Sequence, residues 1–383
     1  MKRCISILGS TGSIGTQALD VIRRLGLQVC ALSAHSNTVL LERQIREFKP
    51  QVVAVFDLNA AKSLRTSVAD LPVRVLQGME GLCEAASVRQ ADAVLNSVVG
   101  MVGLQPTLAA VAAKKDVALA NKETLVAGGA LVMKAAKEQN VSILPVDSEH
   151  SAVFQCLQGC PGKKALKRVI LTASGGPFFG KTPEELYSVT PQQALKHPNW
   201  NMGAKVTIDS ATMMNKGLEI MEAGWLFGLS ASQIDVVVHR ESIVHSMIEY
   251  QDNSVIAQLG VPDMRIPIQY ALTWPDRFPS PVKQLSLTQC RTLSFYEPDE
   301  ETFSCLRACR RAMERGGLAP AAANGANEVA VKLFLQGRIP FTEIGDLVFK
   351  AMENQPDAPV TSVDDIINAD RAARDVVADM AGH

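Results

Sequence analysis

The chain has 383 residues, 47% of them hydrophobic and 20% charged, and a formal net charge of −1. That length suits two or three globular domains, and that balance excludes both a disordered chain and a basic nucleic-acid binder. No apolar run approaches the ~20 residues needed to cross a bilayer, so no membrane segment is expected.

The opening MKRCISILGS runs straight into a strand. It lacks the apolar length of a signal peptide and the Ser- and Arg-rich make-up of a transit segment, so a cytoplasmic protein is expected. Eight cysteines are scattered along the chain. Cys156/Cys160 and Cys305/Cys309 are four apart, which is not zinc-knuckle spacing, and free thiols are expected in a reducing compartment.

Residues 3–8 read as a strand and Thr16–Leu25 as a helix, joined by Gly9-Ser10-Thr11-Gly12-Ser13-Ile14-Gly15. Strand, glycine turn and helix is the layout that aims helix N–H groups at a pyrophosphate. The spacing is G-x-x-G-x-x-G rather than the commoner G-x-G-x-x-G, and the alternative is a glycine-rich turn without a ligand. A second strand, 28–33, ends in Ala34-His35-Ser36-Asn37. An NAD site usually puts an acid there for the ribose hydroxyls, so its absence favours NADP, although no Arg or Lys stands at the turn.

The rhythm continues with strands at 51–56, 73–76, 93–98, 116–120 and 141–146. Short strands alternating with helices predict a doubly wound parallel sheet. Asn121-Lys122-Glu123 follows one strand and Asp147-Ser148-Glu149 another, which puts Lys122 and Asp147 on the carboxyl rim where such sheets bind ligands. If the chain stays extended, Asp147 and Glu149 share one face. Two close acids repel unless a proton or a cation relieves them. Solvated strand ends are the plainer reading.

Beyond Glu149 the pattern changes. Residues 151–157 read as a helix, and the strand 168–172 ends in Ser174-Gly175-Gly176-Pro177, a turn that can offer a hydroxyl and backbone N–H groups to an anion. The polar, proline-broken stretch 178–205 carries His197-Pro198-Asn199-Trp200 and reads as a lid.

Residues 207–222 read as one helix capped by Asp209 or Ser210. Asn215, Lys216 and Glu219 then project from one side, suited to a phosphate beside a metal, or to an ordinary solvated Lys–Glu pair. Three oxygen acids (Asp147, Glu149, Glu219) suit Mg²⁺ or Mn²⁺ rather than zinc. Residues 234–238, 242–249 and 254–259 read as antiparallel strands of a possible dimer interface. His239 and His245 within them read as satisfied sheet residues. Residues 274–291 read as a proline-rich linker, and 303–315, 319–336, 341–354 and 363–380 as a four-helix bundle.

Six motifs then resemble one family in order along the chain. They are Gly9–Gly15, Asn121–Thr124, Pro145–Ala152, Ser174–Phe178, His197–Gly203 and Asp209–Glu219. The family is that of 1-deoxy-D-xylulose 5-phosphate reductoisomerase, in the non-mevalonate isoprenoid pathway. The resemblance implies a homodimer acting on a small phosphorylated sugar with NADPH and Mg²⁺ or Mn²⁺. It implies a Rossmann-like NADPH domain (1–147), a catalytic and dimerisation α+β domain with a lid (148–275), a linker (276–300) and a C-terminal helical domain (301–383).

By motif position the metal ligands are Asp147, Glu149 and Glu219. Ser174, Ser210, Asn215 and Lys216 meet the substrate phosphate, while Lys122, Ser148 and His197 touch the rest of the substrate. Lys122, Glu149 and His197 are the implied catalytic residues. Thr11, Gly12, Ser13, Ile14, Asn121, Glu123 and Gly203 line the cofactor. The turn His35-Ser36-Asn37 is placed there too, although family members carry Gly-Lys-Asn at it. The implied chemistry is retro-aldol cleavage and re-addition, then hydride delivery to the resulting aldehyde. Rival readings are a simple NADP-dependent dehydrogenase, which needs no set of three acids, and a nucleotide-sensing protein without turnover.

Overall fold

The structure is a computed structural model that describes residues 3–162, 164–200 and 202–382; Asn201 of the His197–Gly203 motif lies outside them. The chain forms two compact units. Residues 1–125, 130–151 and 263–282 make the first, and 126–129, 152–262 and 283–383 the second.

Strands and helices alternate through the first part of the chain. They are β1 (Cys4–Leu8), α1 (Ser13–Leu25), β2 (Gln28–Ala34), α2 (Thr38–Phe48), β3 (Val52–Val55), α3 (Leu58–Ser67) and β4 (Arg74–Gln77), then α4 (Gly78–Ala86), β5 (Ala93–Asn96), α5 (Leu104–Ala112), β6 (Asp116–Leu119), α6 (Lys122–Gln139), β7 (Ile143–Pro145) and α7 (Ser148–Cys156). Next come β8 (Leu166–Ala173), the short α8 (Pro183–Leu186) and α9 (Pro191–Ala194), α10 (Ala204–Ala211), α11 (Met214–Phe227), β9 (Ile234–Val238), β10 (Val244–Tyr250) and β11 (Val255–Leu259). The chain ends with α12 (Arg265–Thr273), α13 (Leu287–Cys290), α14 (Ser304–Arg315), α15 (Ala319–Leu335), α16 (Glu343–Glu353) and α17 (Val363–Met380).

In the first unit, seven strands pair in parallel in the order β4-β3-β2-β1-β5-β6-β7. The apolar runs VVAV in β3 and AVLN in β5 are buried throughout, as strands covered on both faces must be, whereas the edge strand β4 is only partly covered. The doubly wound sheet predicted from the alternation is therefore present. Because β1 lies between β2 and β5, the strand order reverses at β1, and the crevice at its carboxyl end opens beside Gly9. Residues 263–282 return to this unit, where Arg265 pairs with Asp20 of α1 at 3.2 Å. The stretch read as linker thus begins as part of the first unit.

The second unit holds a four-stranded sheet, β11-β10-β8-β9. β10 is antiparallel to β8 and β11, but β9 runs parallel to β8, which corrects the all-antiparallel expectation. The connection from β8 to β9 carries four helices, long enough for the crossover that a parallel pair requires. Helices α14–α17 and this sheet share one apolar core, in which Phe341 meets Phe178 edge-on at 5.0 Å.

Two local expectations fail. The helix expected over 207–222 is two helices, because Met213 adopts φ +61° between α10 and α11. Asp209 and Ser210 therefore sit in the last turn of α10 rather than at a helix start. The chain also does not stay extended past β7. Ser148 begins α7, so Glu149 lies in a first helical turn and Asp147 precedes it, accepting from the Glu149 N–H at 3.1 Å. The lid region is more ordered than its prolines suggest, since Thr182/Glu185 and Thr190/Gln193 close capping boxes on α8 and α9.

Gly15 shows what the glycine turn requires. A Cβ there would lie 2.3 Å from the Gly9 carbonyl oxygen and 2.5 Å from Ser10 Cα. Gly15→Ala is expected to lower stability by about 1–3 kcal/mol through overpacking against backbone that cannot turn aside. Thermal denaturation of the variant checks this, and an unchanged midpoint would show that the turn is looser than described.

Candidate functional site

The glycine turn leads into α1, whose N-cap Gly12 offers no side-chain cap and whose first turn carries no acid. Its leading N–H groups are thus left to a ligand, and an anion suits them. Gly9, at φ +85°, presses close to the next strand end: a Cβ would stand 2.8 Å from the Ser97 carbonyl oxygen. Thr11, Gly12, Ser13 and Ile14 are all at least partly exposed there.

The other expected cofactor residues divide. His35, Ser36 and Asn37 are exposed beyond β2, and the Asn37 side-chain Oδ1 caps α2 by accepting from Leu40 N–H at 3.2 Å. Asn121 is buried, and its side chain is fully engaged. It donates to the Val98 and Gly100 carbonyls at 2.7 and 2.8 Å and accepts from the backbone and hydroxyl of Thr124. Any contact it makes with a cofactor falls to its backbone. Glu123 is buried, and Gly203 is an exposed N-cap in the second unit.

At the rim of the first unit, Lys122 Nζ donates to Asp147 Oδ2 at 2.9 Å, with both side chains only 13% exposed. This is the meeting of strand ends expected from the alternation. The buried His150 ring approaches Asp147 Oδ1 at 3.3 Å, and the Ser148 hydroxyl donates to the Glu149 carboxylate.

Residues of the second unit build a polar cradle. His197 Nε2 lies 3.0 Å from Ser174 Oγ and 3.1 Å from Ser210 Oγ. On the ring's other side, Nδ1 accepts from the N–H groups of Asn199 and Trp200 at 3.1 and 3.0 Å. Two donors on Nδ1 fix the proton on Nε2, so a neutral imidazole donates toward the two hydroxyls. Burial, and then the Arg240 charge, push the His197 pKa down to about 4. Gly175 and Gly176, at φ +73° and +65°, turn the backbone beneath Ser174, and Gly176 N–H donates to Ser174 Oγ at 3.2 Å.

On α11, Asn215 Nδ2 donates to Glu219 Oε1 at 2.5 Å and Lys216 Nζ pairs with Glu219 Oε2. Lys216 is 3% exposed and Glu219 fully buried, so this is not a solvated surface pair. The structure thus gathers Ser174, His197 and Ser210 in one place and holds Asn215, Lys216 and Glu219 one helix further on. Trp200 is half-buried, with its ring 6.4 Å from His245. His239 is satisfied as expected, Nδ1 meeting the Ser294 carbonyl at 2.9 Å and Nε2 accepting from Ile243 N–H at 3.1 Å.

Sequence reasoning missed Arg240, which donates to the Ser174 and Gly176 carbonyls at 2.6 and 2.7 Å. Its place just beyond the carboxyl end of a strand was the available signal. Also missed was Asp209, buried and held by Lys205 at 2.8 Å and by Asn327 of α15 at 2.8 Å. Nothing local in the sequence points to Asn327.

Sheet, glycine turn and polar cradle together define an α/β oxidoreductase of the dinucleotide-binding kind with a second, anion-suited unit. The family described as 1-deoxy-D-xylulose 5-phosphate reductoisomerase matches residues 5–129, and its C-terminal domain families match 143–227 and 259–376. The chain is 52% identical over 374 residues to the Ruminiclostridium cellulolyticum 1-deoxy-D-xylulose 5-phosphate reductoisomerase, covering 98% of each. To the Agathobacter rectalis enzyme of that name it is 54% identical over 378 residues, covering 98% of this chain and 99% of the other. A solved Zymomonas mobilis enzyme of that name, in complex with NADPH, superposes with TM-score 0.93 at 40% identity, covering 100% of this chain and 99% of that one. A reductoisomerase solved with NADPH, fosmidomycin and magnesium gives TM-score 0.93 at 40% identity, covering 99% and 98%. The chain belongs to the 1-deoxy-D-xylulose 5-phosphate reductoisomerase family.

The cradle makes a pH prediction. Between pH 6.5 and about 4 the unfolded chain binds a proton at His197 that the folded chain does not. Stability therefore falls as pH drops through that window. His197→Gln is expected to flatten that part of the stability curve, and the wild-type ring to titrate near pH 4 by NMR. Titration near 6.5 would contradict the buried, neutral ring.

Proposed function

We propose that the chain converts 1-deoxy-D-xylulose 5-phosphate to 2-C-methyl-D-erythritol 4-phosphate with NADPH and Mg²⁺ or Mn²⁺. The observation that carries this is the cradle of Ser174, Ser210 and neutral His197. Two hydroxyls, an imidazole N–H and a glycine turn match the acceptor-rich surface of a phosphate. Lys216 and Asn215 on the following helix supply charge and an amide for the same group. Solved relatives carrying NADPH, magnesium and fosmidomycin support this reading.

For the dinucleotide, the uncapped start of α1 and the close-packed Gly9 and Gly15 leave room for a pyrophosphate against backbone. His35, Ser36 and Asn37 stand where the ribose end would lie, and Asn121 and Glu123 flank the same sheet edge. For the cation, the proposed ligands are Asp147, Glu149 and Glu219, because carboxylate oxygens are the chemistry a hard divalent ion takes. When bound, the cation supplies Lewis acidity at the substrate oxygens and NADPH supplies the hydride.

The protein's own contribution is placement. Lys122 holds Asp147 in line and stands ready to donate to a substrate oxygen that gains negative charge. Ser148 does the same for Glu149. Trp200 and the 178–205 segment close over the substrate and exclude water from the reacting carbons. The β8–β11 sheet serves as the homodimer interface; its edge strand β11 exposes Val255 and Ile256. No helix among the described residues is long and apolar enough to cross a membrane. A simple dehydrogenase leaves both the cradle and the three acids without work, so the observations do not favour it.

Incubation with 1-deoxy-D-xylulose 5-phosphate, NADPH and Mn²⁺ is expected to consume nicotinamide absorbance, to stop on chelation and to resume on adding metal. Turnover that survives chelation would overturn the metal-dependent reading. Lys216→Gln is preferred to alanine, because stripping the partner from a buried carboxylate costs about 3–5 kcal/mol by itself. Loss of a charge-assisted contact worth about 1.5–3 kcal/mol predicts a KM raised roughly 10- to 100-fold. An unchanged KM with normal circular dichroism would remove Lys216 from the phosphate.

A further inference from the structure

Arg240 follows β9 by two residues and belongs to none of the motifs that carry the family resemblance. Its Nη1 donates to two carbonyls of one turn, Ser174 at 2.6 Å and Gly176 at 2.7 Å. Those carbonyls flank two consecutive left-handed glycines. Only glycine fits at the second position, because a Cβ on Gly176 would lie 2.7 Å from the Ser210 carbonyl oxygen. The guanidinium also lies over the Phe179 ring, 5.2 Å from its centroid.

The same residue reaches the other half of the cradle through its backbone. Asn199 Nδ2 donates to the Arg240 carbonyl at 2.6 Å and to Ser242 Oγ at 2.8 Å. Asn199 N–H in turn donates to His197 Nδ1. One residue thus fixes the Ser174 turn with its side chain and the His197 segment with its carbonyl.

We propose that Arg240 is a positioning residue for the substrate phosphate: it sets the separation of Ser174 and His197 and adds a fixed positive charge behind them. This rests on the reading of the Ser174–His197–Ser210 cradle as the phosphate subsite. Carbonyls left without a cation would swing toward the bound anion, so the guanidinium keeps negative dipole ends away from the phosphate. Both bonds leave one nitrogen, while the rest of the planar guanidinium lies over the Phe179 ring, a stacked placement that a compact ammonium does not reproduce. Burial first, and then the Arg240 charge, oppose protonation of the His197 ring.

The test uses the full-length enzyme with Mn²⁺ and compares Arg240→Met, Arg240→Lys and Lys216→Gln. Arg240→Met is expected to raise the substrate KM about tenfold or more while the NADPH KM stays within about twofold, since only one of the two ligands meets the cradle. Arg240→Lys is expected to fall between wild type and Arg240→Met, because charge is retained but the planar guanidinium over Phe179 is lost. The His197 ring in Arg240→Met is expected to titrate above its wild-type value of about 4 by NMR. A merely structural role would shift stability and both KM values together and leave Arg240→Lys no better than Arg240→Met, which would overturn the proposal. Unchanged substrate KM in Arg240→Met with a raised KM in Lys216→Gln would sink the role of Arg240 and leave the phosphate reading intact. Unchanged KM in both would sink the phosphate reading, and the proposal with it.

Discussion

A carboxylate taken out of water must be paired, and that constraint organises the candidate site. Asp147 is held by Lys122, Asp209 by Lys205 and Asn327, and Glu219 by Lys216 and Asn215. Removing one partner of such a buried pair costs about 3–5 kcal/mol, because the remaining charge is left uncompensated. The cations a phosphorylated substrate would meet are therefore already doing structural work. Lys216 cannot be read as a mobile charge waiting for an anion; its position is set by Glu219. That fixed position is what keeps the ordering cost of binding low.

The cradle follows the opposite logic. It is built from groups that carry no charge at neutral pH: two hydroxyls, a neutral imidazole and backbone N–H groups. Such groups are cheaper to bury than ions and can be arranged without a counter-charge. Positive charge stands beside the cradle on Arg240, which donates to the Ser174 and Gly176 carbonyls. Under the proposed phosphate reading, shaping the site and charging it are separate tasks.

Much of this was legible in the sequence where the signal was local. The alternation of short apolar strands and helices gave the parallel sheet, and the spacing of Asn215, Lys216 and Glu219 gave their shared face. Helix α17 was read at its observed ends, Val363–Met380. What failed depended on backbone detail or on distant partners. The positive φ of Met213 splits one predicted helix into two, and no pattern of apolar residues marks a single left-handed residue. Alternation along an extended chain was the wrong argument for Asp147 and Glu149, because a helix begins at Ser148. The parallel β8–β9 pair, the Asn327–Asp209 hydrogen bond and the return of residues 263–282 to the first unit all join segments far apart in sequence. The Asn121 side chain shows a further limit: a motif residue assigned to a ligand can be spent wholly on the fold.

The proposal most in need of a direct test is that Asp147, Glu149 and Glu219 are ligands of a divalent cation. Mn²⁺ titration followed by electron paramagnetic resonance tests it most directly, because the readout is binding rather than turnover. Glu149→Gln and Glu219→Gln are each expected to weaken Mn²⁺ binding by at least about tenfold, the loss of one anionic ligand from three. Asp57→Asn is the control: Asp57 caps α3 by accepting from Ala60 N–H at 2.7 Å, a task asparagine also performs, and its Mn²⁺ affinity should match wild type. Wild-type affinity in both glutamate variants would contradict the proposed ligand set and return those carboxylates to a purely structural role.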